Sequence, residues 1–301
     1  MEPTRYRVVH RTDYTYSAPV ALAHGVGHLI PRRTVAQQVL ANSIEFDPKV
    51  DHQWEYLDAF GNTTIYWSIE QPHQALSVVS RSEVEVWPSV TPAFSPAWEQ
   101  VPALLRAEVG HDAMDALLCS VGSMLVGPSS ELETYARPSF PAGRPLFEAL
   151  ADLTTRINRD FEFDPGFSDV TTPVAEVFLH RRGVCQDLAH VAIGCLRSLG
   201  LPARYVSGYL ETQPPPGQPR LIGADASHAW VATYIPGWGW LDADPTNDVT
   251  PPTRHITVAW GRDYADVAPI RGVVFGPPSV QTLAVSVDVA RIDRHPAEYI
   301  P

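Results

Sequence analysis

The 301-residue chain is long enough for one large domain or two ordinary domains, each with its own buried core. Hydrophobic residues make up 45% of it and charged residues 19%, a composition that is typical of a folded globular protein and argues against disorder. The formal net charge is −12, and nucleic acids and anionic membranes attract basic surfaces, so neither is an expected partner.

The three cysteines, Cys119, Cys185 and Cys195, are too few and too far apart to form a disulfide framework or a structural zinc site. We expect them to be reduced, as cysteines are in a cytosol. The charged N-terminus lacks the apolar segment of a signal peptide, and no run approaches the roughly 18 apolar residues of a membrane-spanning helix. We therefore predict a cytoplasmic protein.

Patterns typical of β-strands dominate the first part of the chain. They occupy residues 5–16, 39–46, 63–71 and 76–86, with turn residues at 58–62 (DAFGN). We predict a β-rich N-terminal domain over residues 1–90. The proline-rich stretch 87–102 indicates a linker, and we assign residues 91–140 to this linker and a first helical segment.

Helical patterns begin near Ser129. They cover residues 130–135, 146–157, 171–179 and 186–199. In the last of these, apolar residues recur every three or four positions, and Gly200 stands where a C-terminal cap is expected. Cys185 is therefore predicted at the first position of a buried helix.

Strand patterns return after this helix. They cover residues 203–210, 227–235, 239–244 and, near the C-terminus, 279–291. We expect the last strand to pair with the N-terminal sheet. The proline-rich segment 213–219 is predicted to be a loop.

Cys185 has the position that a nucleophilic thiol requires. A thiol attacks acyl groups as a thiolate, and a helix N-terminus or a nearby imidazolium stabilises that anion. The same backbone N–H groups can bind the oxyanion of a tetrahedral intermediate, so the N–H of Cys185 is the predicted oxyanion donor. Cys195 lies in the apolar stripe of the helix, and both it and Cys119 are predicted to be small buried hydrophobic residues.

His228 is the predicted general base. It opens the strand at 227–235, which turns at PGWG and returns as WLDADPT. A hairpin centred on this turn brings His228 within one or two residue pairs of Asp244, whose carboxylate can then orient the imidazole. His190 lies on another side of the helix from Cys185, and the sequence does not indicate where His180 points.

Two other carboxylates compete with Asp244. Asp242 has the same strand parity and is expected to be a solvated edge residue, whereas Asp244 precedes the proline that ends the strand. Asp187 is expected to be a charge at the helix N-terminus. A zinc site usually includes two ligands close in sequence, as in CxxC or HxxxH, and no such pair exists among Cys185, His228 and Asp244. No glycine-rich nucleotide motif is present either. We therefore predict neither a metal site nor a cofactor.

The run GVCQDLAHVAIGCLRSLGLPARYVSGYL, followed by SHAWVATYIPGWGWLDADPTN, resembles the transglutaminase-like core of bacterial proteins. In that family the triad cysteine lies in a G-V/Q-C segment, the histidine opens an H-A-W strand, and the aspartate precedes Pro-Thr. These positions correspond to Cys185, His228 and Asp244, which favours Asp244 over Asp242. YRVVHRTDYTYSAPVALAHGVGHLIPR and DAFGN resemble the β-rich domain of this bacterial branch, and HITVAWGRDYADVAPIRG resembles its C-terminal continuation.

The resemblance implies an α+β fold, in which a β-rich N-terminal domain precedes a papain-like core with the cysteine helix packed on an antiparallel sheet. It implies that the core spans residues 141–270 and that a C-terminal strand and tail span 271–301. By analogy, Gly208, Tyr209 and Trp230 are candidate walls of the substrate site.

The resemblance also implies thiolate attack on an amide and a thioester intermediate, but not the acyl acceptor. Members of this superfamily cross-link glutamine to lysine, hydrolyse peptide or isopeptide bonds, or deglycosylate asparagine, and some have lost the triad. We predict hydrolysis of a peptide or protein amide, as by a cysteine protease or amidase, because nothing in the sequence indicates a second, amine-binding site. A protein-glutamine transglutaminase and a non-catalytic binding protein of the same fold are the alternatives. The sequence does not indicate the oligomeric state.

Overall fold

The computed structural model describes residues 2–212, 227–251, 254–278 and 280–292. Within these ranges the chain forms three four-stranded antiparallel sheets, one short parallel strand pair and seven α-helices. The mixed α+β fold is the one predicted. The predicted loop at 213–219 lies outside the described residues. None of the helices described is long and apolar enough to cross a membrane.

Two sheets pack face to face as an N-terminal sandwich. The first has the order β14-β1-β6-β3 and consists of β1 (Thr4–Val20), β3 (Gln37–Asp47), β6 (His73–Val86) and β14 (Gln281–Arg291). The second has the order β13-β2-β5-β4 and consists of β2 (Leu22–Gly27), β4 (His52–Leu57), β5 (Thr63–Ile69) and β13 (Ile270–Phe275). Apolar side chains of both sheets, such as Trp67 and Val78, form one buried cluster between them.

The four strands predicted in the N-terminal part are present, and so is the predicted pairing of the late strand β14 with β1. The strands β2 and β4 were not predicted. Gly25 weakens the strand pattern of β2, and the structure shows its purpose: a Cβ atom there would lie 2.2 Å from the Trp67 ring. Every residue of β4 is exposed, so this strand lacks the alternation that marks a half-buried strand.

The helices and the third sheet follow. The helices are α1 (Val101–Ala107), α2 (His111–Leu118), α3 (Ser130–Ala136), α4 (Leu146–Asp160), α5 (Val174–His180), α6 (Cys185–Ser198) and α7 (Tyr264–Val267). The third sheet has the order β11-β10-β9-β12 and consists of β9 (Ala203–Leu210), β10 (Ser227–Ile235), β11 (Gly239–Ala243) and β12 (His255–Gly261). The short parallel pair is β7 (Glu162–Phe163) and β8 (Arg182–Gly183).

The helix α6 is the centre of this second part. All its residues from Gln186 to Arg197 are buried, and its apolar side chains share one core with those of β9 and β10. The guanidinium of Arg197 donates to four backbone carbonyls and one hydroxyl, which satisfies the buried charge. After the helix, Gly200 has a φ of +74°, the left-handed conformation expected of a C-terminal cap.

The sandwich is joined to the third sheet along the outer edge of β12. The side-chain amide of Gln37 donates to the carbonyl of Thr257 (2.7 Å) and accepts from its N–H (2.9 Å). Asn62 makes the same two hydrogen bonds with Trp260, at 2.8 and 2.9 Å. These two amides take the place of a neighbouring strand and satisfy part of an edge that would otherwise be unpaired.

Candidate active site

The local chain holds Cys185 at the N-terminus of α6, where its side chain is partly exposed. Val184 is extended, and the carboxylate of Asp187 accepts hydrogen bonds from the Val184 N–H (2.8 Å) and the Ser168 hydroxyl (2.5 Å). A Cβ atom at Gly183 would lie 2.6 Å from that carboxylate, so the close turn requires glycine. Asp187 thus closes the first turn of the helix, which fits the helix-terminus charge expected from the sequence.

His228 lies at the start of β10, beside a buried carboxylate and near the thiol of Cys185. Its Nε2 atom is 2.7 Å from Oδ2 of Asp244, and the thiol of Cys185 is near enough to its ring to raise the pKa of the imidazole. Since Nε2 is taken by Asp244, Nδ1 is the nitrogen that remains for the sulfur. The side chain of His228 is 9% exposed and that of Asp244 is fully buried.

Asp244 and Cys185 together favour the charged form of the imidazole. Burial lowers the pKa of His228, but the hydrogen bonds and negative charges of Asp244 and Cys185 outweigh it and raise this pKa to about 10. Burial raises the pKa of Asp244, yet its hydrogen bonds with His228 and His255 hold it well below the usual range. At neutral pH the site therefore holds an imidazolium beside an ionised carboxylate.

Asp244 follows β11, and both oxygens of its carboxylate accept hydrogen bonds. Oδ1 accepts from the N–H groups of Thr246 and Asn247, at 2.9 and 3.3 Å. Oδ2 accepts from three side chains, namely His228 (2.7 Å), His255 (2.8 Å) and Asn247 (2.7 Å). Five donors satisfy this buried charge, which has no exposed surface through which water could do so.

His255 is a site residue that the sequence analysis missed. It begins β12 and approaches Asp244 from a different strand than His228. The β-branched run that follows it, ITV, predicts a strand and could have marked β12. Nothing in the sequence relates that strand to Asp244, because no local pattern shows how β12 is placed in the sheet.

The three residues predicted as substrate walls lie behind the imidazole and offer no open surface. Trp230 is fully buried, with its ring centroid 6.1 Å from that of His228. Tyr209 is 3% exposed, and its hydroxyl is hydrogen-bonded with His10 of β1 at 2.9 Å. Gly208 pairs with His228, and a Cβ atom there would lie 2.6 Å from the Trp230 ring. These placements support a packing role for all three.

The competing residues lie elsewhere. Cys119 and Cys195 are buried, and burial raises their pKa values to about 11 and about 12. His190 is buried, and its Nε2 accepts from the N–H of Tyr264 at 3.2 Å. Asp242 is not the solvated residue that we expected: it is half-buried, and burial raises its pKa. His180 is exposed.

One group of side chains has the composition of a metal site. One ligand atom each from His228, Asp244 and His255 lies within 4.8 Å of the others. Two imidazoles and a carboxylate suit Zn²⁺, but both Nε2 atoms here are at hydrogen-bonding distance from the same oxygen. Proton donation to Asp244 accounts for this geometry, and His228 and His255 would have to give up these bonds to bind an ion.

Comparisons with known proteins agree with this architecture. Residues 6–85 match the family described as the bacterial transglutaminase-like N-terminal region, and residues 134–245 match the transglutaminase-like superfamily. A solved structure, that of a proposed cysteine protease from Cytophaga hutchinsonii, has a TM-score of 0.74 and 20% identity, with coverage of 98% of this chain and 93% of that one. This likeness shows the fold.

Two mycobacterial relatives are similar over nearly their whole length. The uncharacterised protein Rv2569c of Mycobacterium tuberculosis is 41% identical over 293 residues, which is 95% of this chain and 92% of that protein. An uncharacterised protein of Mycobacterium leprae, ML0607, is 30% identical over 96% of this chain and 99% of its own length. A protein-glutamine gamma-glutamyltransferase of Pseudomonas aeruginosa is 40% identical over 76 residues, only 25% of this chain and 11% of that protein. The chain therefore belongs to the transglutaminase-like superfamily, with the N-terminal region of its bacterial members.

Proposed function

We propose that this protein is an enzyme that cleaves amide bonds through a thioester on Cys185. His228 would act as the acid and base, and Asp244 would orient its imidazole. The observation that carries the proposal is the position of His228, which is 2.7 Å from the buried carboxylate of Asp244 and near enough to the thiol of Cys185 for that group to raise its pKa.

The reaction follows from these contacts. The sulfur attacks the carbonyl carbon of the amide, and the negative charge on the carbonyl oxygen develops near the N-terminus of α6, where the first backbone N–H groups have no partner within the helix. The intermediate collapses as the C–N bond breaks and His228 gives its proton to the departing amine. A water molecule then loses a proton to His228 and attacks the thioester, which releases a carboxylic acid and the thiol.

The acyl acceptor distinguishes a peptidase or amidase from a transglutaminase. The first half of the reaction is the same for both, and the short similarity to the Pseudomonas gamma-glutamyltransferase supports this shared chemistry. We propose water as the acceptor. A fluorescent primary amine added to the protein with a glutamine-rich peptide tests this choice, because hydrolysis releases ammonia or a new amine without labelling the peptide. Amine incorporation that depends on Cys185 would favour the transglutaminase alternative.

Alkylation by iodoacetamide tests the nucleophile without knowledge of the substrate. An ordinary thiol, with a pKa of about 8.5, reacts about tenfold more slowly for each pH unit below that value. We expect the rate at Cys185 to be nearly constant between about pH 6 and pH 8, because the imidazolium of His228 stabilises the thiolate. The His228→Ala variant should react at least about tenfold more slowly at pH 6 and recover the ordinary pH dependence.

The other thiols are internal controls in the same experiment. Burial raises the pKa values of Cys119 and Cys195 and also shields both from the reagent, so peptide mapping should find them unlabelled in the native protein. A rate at Cys185 that rises with pH as for an ordinary thiol would contradict the proposal. A Cys185→Ser variant with full cellular function would instead favour a binding protein that retains the fold.

A further inference from the structure

His255 begins β12, the edge strand of the third sheet, and is hydrogen-bonded with the Asp244 carboxylate. The strands β10 and β12, which begin at or near His228 and His255, lie on either side of β9. The Nε2 atoms of the two histidines lie 2.7 and 2.8 Å from the same oxygen of Asp244, Oδ2. The side chain of His255 is 3% exposed, and Trp230 packs edge-on against its ring at 5.1 Å and 87°. The carboxylate is thus bound between two imidazoles, and packing fixes the orientation of the second.

The surroundings of His255 indicate which nitrogen has the proton. Its Nδ1 atom is buried without a hydrogen-bond partner among the described residues, so a proton there would be an unsatisfied donor. A proton on Nε2 donates to Asp244 instead. Burial, together with the positive charges of His228 and Arg254, outweighs the effect of Asp244 and lowers the pKa of His255. His255 is therefore a neutral donor to the carboxylate, unlike the charged His228.

We propose that His255 is a positioning residue for the reaction described above, because it holds Asp244 in the orientation in which Oδ2 faces His228. The proposal rests on the proposed function. His255 acts only through the carboxylate: its N–H restrains rotation of the Asp244 side chain and stabilises the anion against protonation. Without this donor, Asp244 would be protonated at a higher pH and would orient His228 less well.

Two substitutions in the full-length chain test this role. His255→Phe keeps a flat ring but removes the donor, and we expect alkylation of Cys185 at pH 6.5 to slow by about tenfold, the effect of a lost charge-assisted hydrogen bond. The low-pH end of the alkylation profile should also move upward, because a less firmly oriented His228 stabilises the thiolate less well. His255→Gln retains an N–H donor, and its rate should stay within about threefold of the native rate.

A matched control separates positioning from general packing. His73 of β6 is also buried, at 8% exposure, but belongs to the N-terminal sandwich. His73→Phe should lower the melting temperature without changing the alkylation rate or its low-pH end. If His255→Phe behaves in the same way as His73→Phe, the positioning role is refuted. If the native protein shows no enhanced alkylation at low pH, it is the proposed function that fails, whatever His255 does.

A measurement on the unmodified protein remains decisive if His255→Phe does not fold. The ¹⁵N chemical shifts of the imidazole nitrogens report which of them is protonated. At pH 7 we expect His255 to be protonated on Nε2 alone and His228 on both nitrogens. A proton on Nδ1 of His255, or a doubly protonated ring, would overturn the assignment of His255 as a neutral donor to Asp244.

Discussion

Substitution of Gly208 by alanine distinguishes a packing role from a contact with substrate. Gly208 lies on β9 between its two neighbouring strands, opposite His228 on one side and Thr257 on the other. A Cβ atom at this position would be 2.1 Å from the carbonyl oxygen of Ile256 and 2.6 Å from the Trp230 ring, whereas real contacts of this kind are not shorter than 3.0 Å. Because the first obstacle is backbone, β9 and β12 would have to separate by about 1 Å.

The size of the effect follows from this geometry. Overpacking of a filled interior costs about 1–3 kcal/mol, and a backbone obstacle next to a fully buried ring places Gly208→Ala near the upper limit. Reduced freedom of the unfolded chain offsets about 0.5 kcal/mol of this cost. We therefore expect the free energy of unfolding to fall by about 2.5 kcal/mol, which lowers the melting temperature by roughly 5–10 °C in a protein of this size.

Gly127→Ala is the matched control, because a Cβ atom at that glycine would have no neighbour within 4 Å. Circular dichroism should show the melting temperature falling for Gly208→Ala and staying within about 1 °C of the native value for Gly127→Ala. Alkylation of Cys185 by iodoacetamide, measured well below both transitions, should also slow in Gly208→Ala, because His228 moves with β9. Equal melting temperatures for the two variants would refute the packing argument. A stable Gly208→Ala protein that cleaves substrate poorly would support the substrate contact instead.

Three further predictions concern buried groups. Burial lowers the pKa values of His10 and His190 to about 4, so the unfolded chain binds more protons than the folded protein between pH 6.5 and 4. The free energy of unfolding measured in urea should therefore fall as the pH falls through this range, by up to about 1.4 kcal/mol per pH unit for each histidine. The His190→Gln variant should lack the part of this slope that His190 contributes. Cys119 and Cys195 should react with Ellman's reagent only after unfolding, since burial raises their pKa values to about 11 and about 12. Rapid reaction of more than one thiol in the native protein would contradict their burial. Arg197→Met should lower the free energy of unfolding, measured in urea, by at least about 3 kcal/mol, because four carbonyl groups and a hydroxyl lose their buried donor. A smaller decrease would show that water replaces the guanidinium as the donor.

The parts of the site that are close together along the chain could be predicted from the sequence. The strand β10 begins and ends as predicted, and β11 ends one residue earlier than predicted. The turn chemistry of PGWG sets the register of this hairpin, and the register brings His228 to Asp244. The start of α6 at Cys185 also follows from local signals, namely the apolar stripe and its flanking glycines. In each case one segment contains all the information that is needed.

Contacts between distant segments could not be predicted in the same way. The strand pattern shows that Tyr209 and Trp230 lie on faces of the sheet, but not what covers those faces. Tyr209 is covered by His10, a residue 199 positions away in the sequence. His255 was missed for the same reason, since its relation to Asp244 depends on how β12 pairs with β9 rather than on any local pattern.

The position of β12 links the N-terminal sandwich to the chemistry of the site. His255 begins this strand and donates to the Asp244 carboxylate, yet it lies beyond residue 245, where the match to the superfamily core ends. The outer edge of β12 is satisfied by the amides of Gln37 and Asn62, both of which belong to the N-terminal part of the chain. An edge strand without these partners would expose backbone groups and lose the restraint that sets its distance from Asp244. The sandwich therefore contributes to the site through β12, although none of its residues contacts the imidazole of His228 or the thiol of Cys185 in the hydrogen bonds described above.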